Sequence, residues 1–132
     1  MIIHHIGYLL KDIRRSIPEF EKLGYTVEVP TTHDEYRQAD ICFIKNGDYM
    51  IELISPTSEE SVVWGLMRTK KNSPYHICYI TDDFYAELNE LAASGYTVAS
   101  SPCPAPAIGG RRVAFLVNRH LGMIELVEGP QK

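Results

Sequence analysis

The chain has 132 residues, 45% hydrophobic and 23% charged, with a formal net charge of −4 at pH 7. That length suits one compact unit or two half-size modules sharing a core, and the acidic balance gives no basic footprint for nucleic acid. No apolar run approaches the roughly 20 residues of a membrane span, the N-terminus reads as a strand rather than a signal peptide, and three scattered cysteines, Cys42, Cys78 and Cys103, make neither a disulfide framework nor a Cys-type zinc site. A reduced, cytoplasmic protein is expected.

In chain order, Ile2 to Leu10 reads as a strand with His5, Gly7 and Leu9 on one face. Ser16-Ile17-Pro18-Glu19 has the form of a capping box, with Ser16 as N-cap, and predicts a helix carrying Ile17, Phe20 and Leu23 as its apolar stripe. Gly24 suits a left-handed C-terminal cap. Tyr25 to Val29 is a strand and Pro30 to Arg37 a polar loop. Ala39 to Lys45 and Asp48 to Ser55 are strands joined by the Asn46-Gly47 hairpin signal. The connector 57–73 carries a short helix over Ser61 to Met67, in which Trp64 is expected to pack. Tyr75 to Thr81 is a strand; Asp82 or Asp83 caps a helix with Phe84, Leu88 and Leu91 on one face. Tyr96 to Ala99 is a strand, the proline- and glycine-rich Ser100 to Gly110 a loop, and Arg111 to Asn118 with Leu121 to Glu128 a final hairpin, after which the tail should fray.

This order is one module written twice, a β-α-β-β-β unit over residues 1–56 and again over 74–128. His5-Ile6-Gly7-Tyr8 corresponds to His76-Ile77-Cys78-Tyr79 (76 − 5 = 71), and Gly24-Tyr25-Thr26-Val27 to Gly95-Tyr96-Thr97-Val98 (95 − 24 = 71). Phe43 matches Phe115, and Met50-Ile51-Glu52-Leu53-Ile54 matches Met123-Ile124-Glu125-Leu126-Val127. The slowly drifting offset describes a duplicated module with small loop changes. Both glutamates stand in strands apolar on both faces, as in strands covered on both sides, where a carboxylate is costly unless something positive meets it.

The repeat therefore selects two imidazoles, His5 and His76, and two carboxylates, Glu52 and Glu125. An approximate two-fold axis would bring them together as a ligand set for one divalent metal ion, with two coordination places left for substrate oxygens. Such an ion, whether Zn, Co, Ni, Mn, Mg or Fe, acts as a Lewis acid toward an enolate, and Glu125 or Glu52 can then move the acidified proton. His4 points away from His5, while His33 and His120 fall in loops as surface residues.

With these residues in place the chain resembles the vicinal oxygen chelate superfamily over residues 3–128. That family includes glyoxalase (lactoylglutathione lyase), methylmalonyl-CoA epimerase, extradiol dioxygenases and bleomycin-resistance proteins. The stretches Asn46 to Pro56, Tyr75 to Tyr79 and Gly109 to Leu116 are most similar to the epimerase-like branch. The resemblance implies an α+β fold of two tandem β-α-β-β-β modules forming a curved mixed-sheet cup, as a single glyoxalase-like domain. It implies a metal held by His5, Glu52, His76 and Glu125, a small-molecule substrate and a homodimer. Tyr75 stands where epimerases commonly have a second histidine, and Glu52 where they often have glutamine.

The implied activity is that of a metal-dependent isomerase or lyase acting on a carbonyl or acyl-thioester substrate. A lactoylglutathione lyase, a non-catalytic drug-binding protein and an Fe(II) dioxygenase are the alternatives. Asp40 lies near the position of a second base but reads as a strand-start surface residue, and Gly109-Gly110-Arg111-Arg112 reads as a turn into a strand with an outward arginine. Tyr8 and Tyr79 face opposite to the histidines, into the core under the helices.

Overall fold

A computed structural model describes residues 1–130. In order, the elements are β1 Ile2–Leu9, α1 Ile13–Lys22, β2 Thr26–Asp34, β3 Ala39–Asn46, β4 Tyr49–Pro56, α2 Trp64–Lys70, β5 Ser73–Thr81, α3 Phe84–Ala93, β6 Thr97–Ala105, a 3-10 turn Pro106–Ile108, β7 Arg111–Asn118 and β8 Gly122–Glu128. The α+β class and the tandem β-α-β-β-β order are those read from the sequence. The chain divides into two compact units: His5–Tyr75, and the residues from His76 onward together with Met1–His4.

The first unit orders its strands β2-β3-β4-β1. β1 and β4 run parallel, with Gly7 opposite Glu52; the other pairs are antiparallel. Its core lies under α1, where Leu10, Ile13, Cys42, Ile44, Ile51 and Leu53 pack with Tyr8, Ile17, Phe20 and Tyr25. The second unit repeats the plan as β5-β8-β7-β6, with β5 and β8 parallel and Cys78 opposite Glu125. Phe84, Leu88, Ala114, Leu116, Ile124 and Leu126 pack under α3 with Tyr79, Leu91 and Tyr96. Tyr8 and Tyr79 thus occupy the core positions expected of them.

Several local expectations are corrected. Helix α1 begins a turn before the Ser16 box. Asp12 is its N-cap, accepting from the backbone N–H of Arg14 (3.1 Å) and Arg15 (3.4 Å). The gain is burial of Ile13 beside Leu10, and Pro18 is left inside the helix, where it removes one intrahelical bond. The first hairpin closes one residue later than expected, with Asn46 paired to Tyr49 and Gly47-Asp48 as its loop.

The segments read as loops after Val29 and Ala99 are strand. β2 runs on to Asp34 and β6 to Ala105, each across two register shifts, at 27/29 and 29/32 and again at 98/100 and 100/103. Bulged edge strands tolerate Pro30, Pro102 and Pro104 because the ladder there does not need their missing N–H groups. The connector helix begins at Trp64, not Ser61, and Trp64 is 37% exposed rather than packed. Gly129 donates to the Thr81 carbonyl at 2.9 Å, so the tail is tied at that point; the fraying expected further on includes 131 and 132, which lie outside the described residues.

The turn after β2 is closed by a buried ion pair. Arg37 Nη1 lies 2.7 Å from Asp34 Oδ2, the Arg37 N–H donates to Asp34 Oδ1 at 2.9 Å, and Ser61 Oγ donates to the Arg37 carbonyl at 2.8 Å. Removing one member leaves the other charge buried. Asp34→Ala is expected to lower unfolding stability by about 3–5 kcal/mol, read by urea denaturation. Burial also pushes the Cys42 thiol up, against a hydrogen bond to Thr31 that lowers it, and Cys42 is fully buried. Thiolate is the reactive form. Native protein treated with iodoacetamide at neutral pH is therefore expected to be labelled at the partly exposed Cys103 and spared at Cys42; equal labelling by peptide mass would contradict this.

Candidate metal centre

In the first unit the parallel register of β1 and β4 sets Gly7 against Glu52. His5 lies two residues before Gly7 and so points to the same face. Its Nε2 is 3.7 Å from Glu52 Oε2. A third strand supplies a wall: Phe43 on β3 is opposite Glu52, and its ring meets the His5 ring edge to face at 5.2 Å between centroids. His5 and Glu52 are both buried.

The second unit builds the same arrangement. β5 and β8 set Cys78 against Glu125, and His76 Nε2 lies 3.1 Å from Glu125 Oε1. Phe115 on β7 is opposite Glu125 and meets the His76 ring edge to face at 5.1 Å. His76 and Glu125 are buried as well. The duplication therefore extends from single residues to a three-strand device of imidazole, carboxylate and phenyl ring.

Each part has a physical reason. The apolar residues on the opposite face of β4 and β8, Ile51 with Leu53 and Ile124 with Leu126, anchor the strands to the helix-side cores, and alternation then turns Glu52 and Glu125 to the histidine face. The phenyl edge restricts the imidazole ring without competing for its nitrogens. A buried carboxylate beside an imidazole is costly unless a proton on the ring or a cation neutralises it. Imidazole nitrogen and carboxylate oxygen are donors suited to a divalent transition metal, so in each unit the residue types present fit the expected ion.

Other sequence candidates lie elsewhere. Asp40, half-exposed on β3, has Oδ1 3.0 Å from Nδ1 of His33, across the β2–β3 pair. His33 is thus a strand residue with a cross-strand partner, not a loop residue. His120 lies in the turn before β8, its ring beside Arg119 at 3.1 Å. Arg111 and Arg112 both reach Glu128: Arg111 Nε donates to its carbonyl at 2.8 Å, and Arg112 Nη1 is 3.7 Å from its carboxylate. Phe43 and Phe115 were visible in the sequence as a repeated pair, but their contact with the histidines follows only from the strand register.

Comparison with known proteins supplies the family. The Glyoxalase/Bleomycin resistance protein/Dioxygenase superfamily matches residues 4–115. No curated protein matches the chain. Among solved structures, a hypothetical protein from Bacillus halodurans C-125 is similar at 22% identity and TM-score 0.86, covering 98% of this chain and 95% of its own. Methylmalonyl-CoA epimerase from Mycobacterium tuberculosis is similar at 18% identity and TM-score 0.85, with 98% and 88% covered. A variant of Streptomyces coelicolor methylmalonyl-CoA epimerase in complex with 2-nitronate-propionyl-CoA is similar at 26% identity and TM-score 0.82, with 99% of each chain covered. By the family match and the tandem module fold, the chain belongs to the glyoxalase/bleomycin resistance protein/dioxygenase superfamily, the vicinal oxygen chelate group.

Proposed function

We propose that the chain is a metal-dependent isomerase, epimerase-like, acting on the carbon beside the carbonyl of a carbonyl or acyl-thioester substrate. The observation that carries the reading is the buried imidazole–carboxylate pair made twice, His5 with Glu52 and His76 with Glu125. The repeat of the pair in both modules supports taking the four residues as the donor set of one ion. The similarity to an epimerase bound to an acyl-CoA analogue supports a thioester substrate. Three scattered cysteines that make no disulfide framework in the sequence support the reading of a reducing, cytoplasmic setting.

When bound, a divalent cation supplies Lewis acidity that stabilises negative charge on a substrate carbonyl oxygen. The protein's own work is positional and protonic. His5 and His76, held by Phe43 and Phe115, offer Nε2 as a donor atom. Glu125 takes the proton from the carbon beside the carbonyl. In an epimerisation Glu52 begins protonated and gives its proton to the other face, and the two carboxylates exchange these roles in the reverse direction. Both carboxylates are buried, which favours proton transfer from them over transfer from bulk water, while their own protons exchange with solvent between turnovers.

Metal-stripped protein reloaded with divalent ions is expected to retain about one equivalent per chain and to exchange an acyl-CoA α-proton for deuterium in D2O. Failure to retain any ion after loading would contradict the reading, and exchange on glutathione hemithioacetals alone would redirect it to the lyase. Glu125→Gln is expected to slow exchange by about 10²–10⁴-fold, the usual worth of a positioned acid–base group. Saturating metal should raise the thermal stability of the wild type by mass action, about 2.7 kcal/mol at one hundred times Kd. His76→Ala should show a much smaller rise in differential scanning fluorimetry.

A further inference from the structure

A cavity of about 510 Å³ lies in the first unit, lined by Lys11, Pro56, Trp64, Met67, Arg68, Lys71 and Asn72. None of these residues is among the four metal donors. The size falls within the ~300–1,000 Å³ of small-molecule sites. Its composition is unusual for a chain of net charge −4: three cations and no carboxylate stand around an indole, a thioether and a proline ring. The cavity beside it shares Lys11 and Asn72 but balances Lys11 and Arg15 with Asp12 and Glu19, so the excess of positive charge is local. Among the described residues, no carboxylate forms a salt bridge with Lys11, Arg68 or Lys71.

The backbone adds a second observation. Lys71 caps α2 at φ 53°, ψ −152°, a region that glycine occupies readily and other residues at a cost. Strain of this kind clusters at active sites and ligand clamps, and here the strained residue carries one of the three cations. The Lys11 N–H donates to Asn72 Oδ1 at 2.9 Å, fixing the segment after α2 against the end of β1.

We propose that this cavity binds an anion carrying a flat ring, of the nucleoside-phosphate class. The half-exposed indole of Trp64 offers a face for ring stacking, which is tolerant of base identity. Arg68 presents a planar fork suited to phosphate oxygens, and Lys11 and Lys71 add point charges. A free nucleotide and the nucleotide end of a coenzyme A thioester share this chemistry.

Trp64 is the only tryptophan in the chain, so its fluorescence reports on the cavity directly. The full chain is titrated in EDTA, which keeps the outcome independent of any metal, with AMP, 3′,5′-ADP, coenzyme A and inorganic phosphate. Saturable changes with the ring-bearing phosphates are expected, at least about tenfold tighter than with inorganic phosphate and weakened by added salt. Preference for 3′,5′-ADP and coenzyme A over AMP assigns the thioester's nucleotide end; equal binding of AMP assigns a free nucleotide. Arg68→Ala and Lys71→Gly should each weaken binding about tenfold, and Lys71→Gly should do so without lowering the melting temperature, because glycine relieves the strained backbone. Absence of saturation, inorganic phosphate binding as tightly as the nucleotides, or wild-type affinity in both variants would overturn the proposal.

Discussion

The parallel pairing of the first and fourth strands of each module is the constraint on which the candidate centre depends. It fixes a buried imidazole beside a buried carboxylate, His5 with Glu52 and His76 with Glu125. A register slip of one residue would turn each glutamate into the helix-side core and each of Ile51, Leu53, Ile124 and Leu126 out of it. The hydrophobic packing under α1 and α3 therefore does more than stabilise the modules. It holds the carboxylates on the histidine face, where their charge is costly in the absence of a counter-charge.

The two modules solve the same problem in the same way, down to the phenyl rings of Phe43 and Phe115 against the imidazoles. Stability alone does not ask for this. A buried ionic pair is often no better than an apolar one of the same volume, so four ionisable groups buried in two copies are better accounted for by chemistry than by folding. The family match and the likeness to a methylmalonyl-CoA epimerase support the family and its fold. The proposed centre draws one pair from each module, and neither pair alone offers enough donors for a divalent ion with two places left open.

Much of this was legible in the sequence because duplication doubles every signal. One histidine in a strand means little, but His5 and His76 at one offset, with Glu52 and Glu125 following at nearly the same offset, form a pattern. The tandem modules and the helix-terminating Gly24 and Gly95 were equally readable, both glycines having positive φ. The start of α1 was not, because Ser16 to Glu19 imitates a capping box while Asp12 performs the capping; burial of Ile13 decided between them. The lengths of β2 and β6 were hidden by prolines, which forbid a central strand but not a bulged edge. Trp64 misled in the opposite direction: a large apolar side chain defaults to the core, whereas here it lines a cation-rich cavity.

The central claim, that two imidazoles and two carboxylates converge on one cation, is tested most directly by X-ray absorption spectroscopy of the cobalt-loaded protein. The account predicts a light-atom shell whose outer scattering fits two imidazole rings, falling to one in His5→Ala and to one in His76→Ala. A shell without imidazole scattering, or one unchanged in both variants, would contradict it.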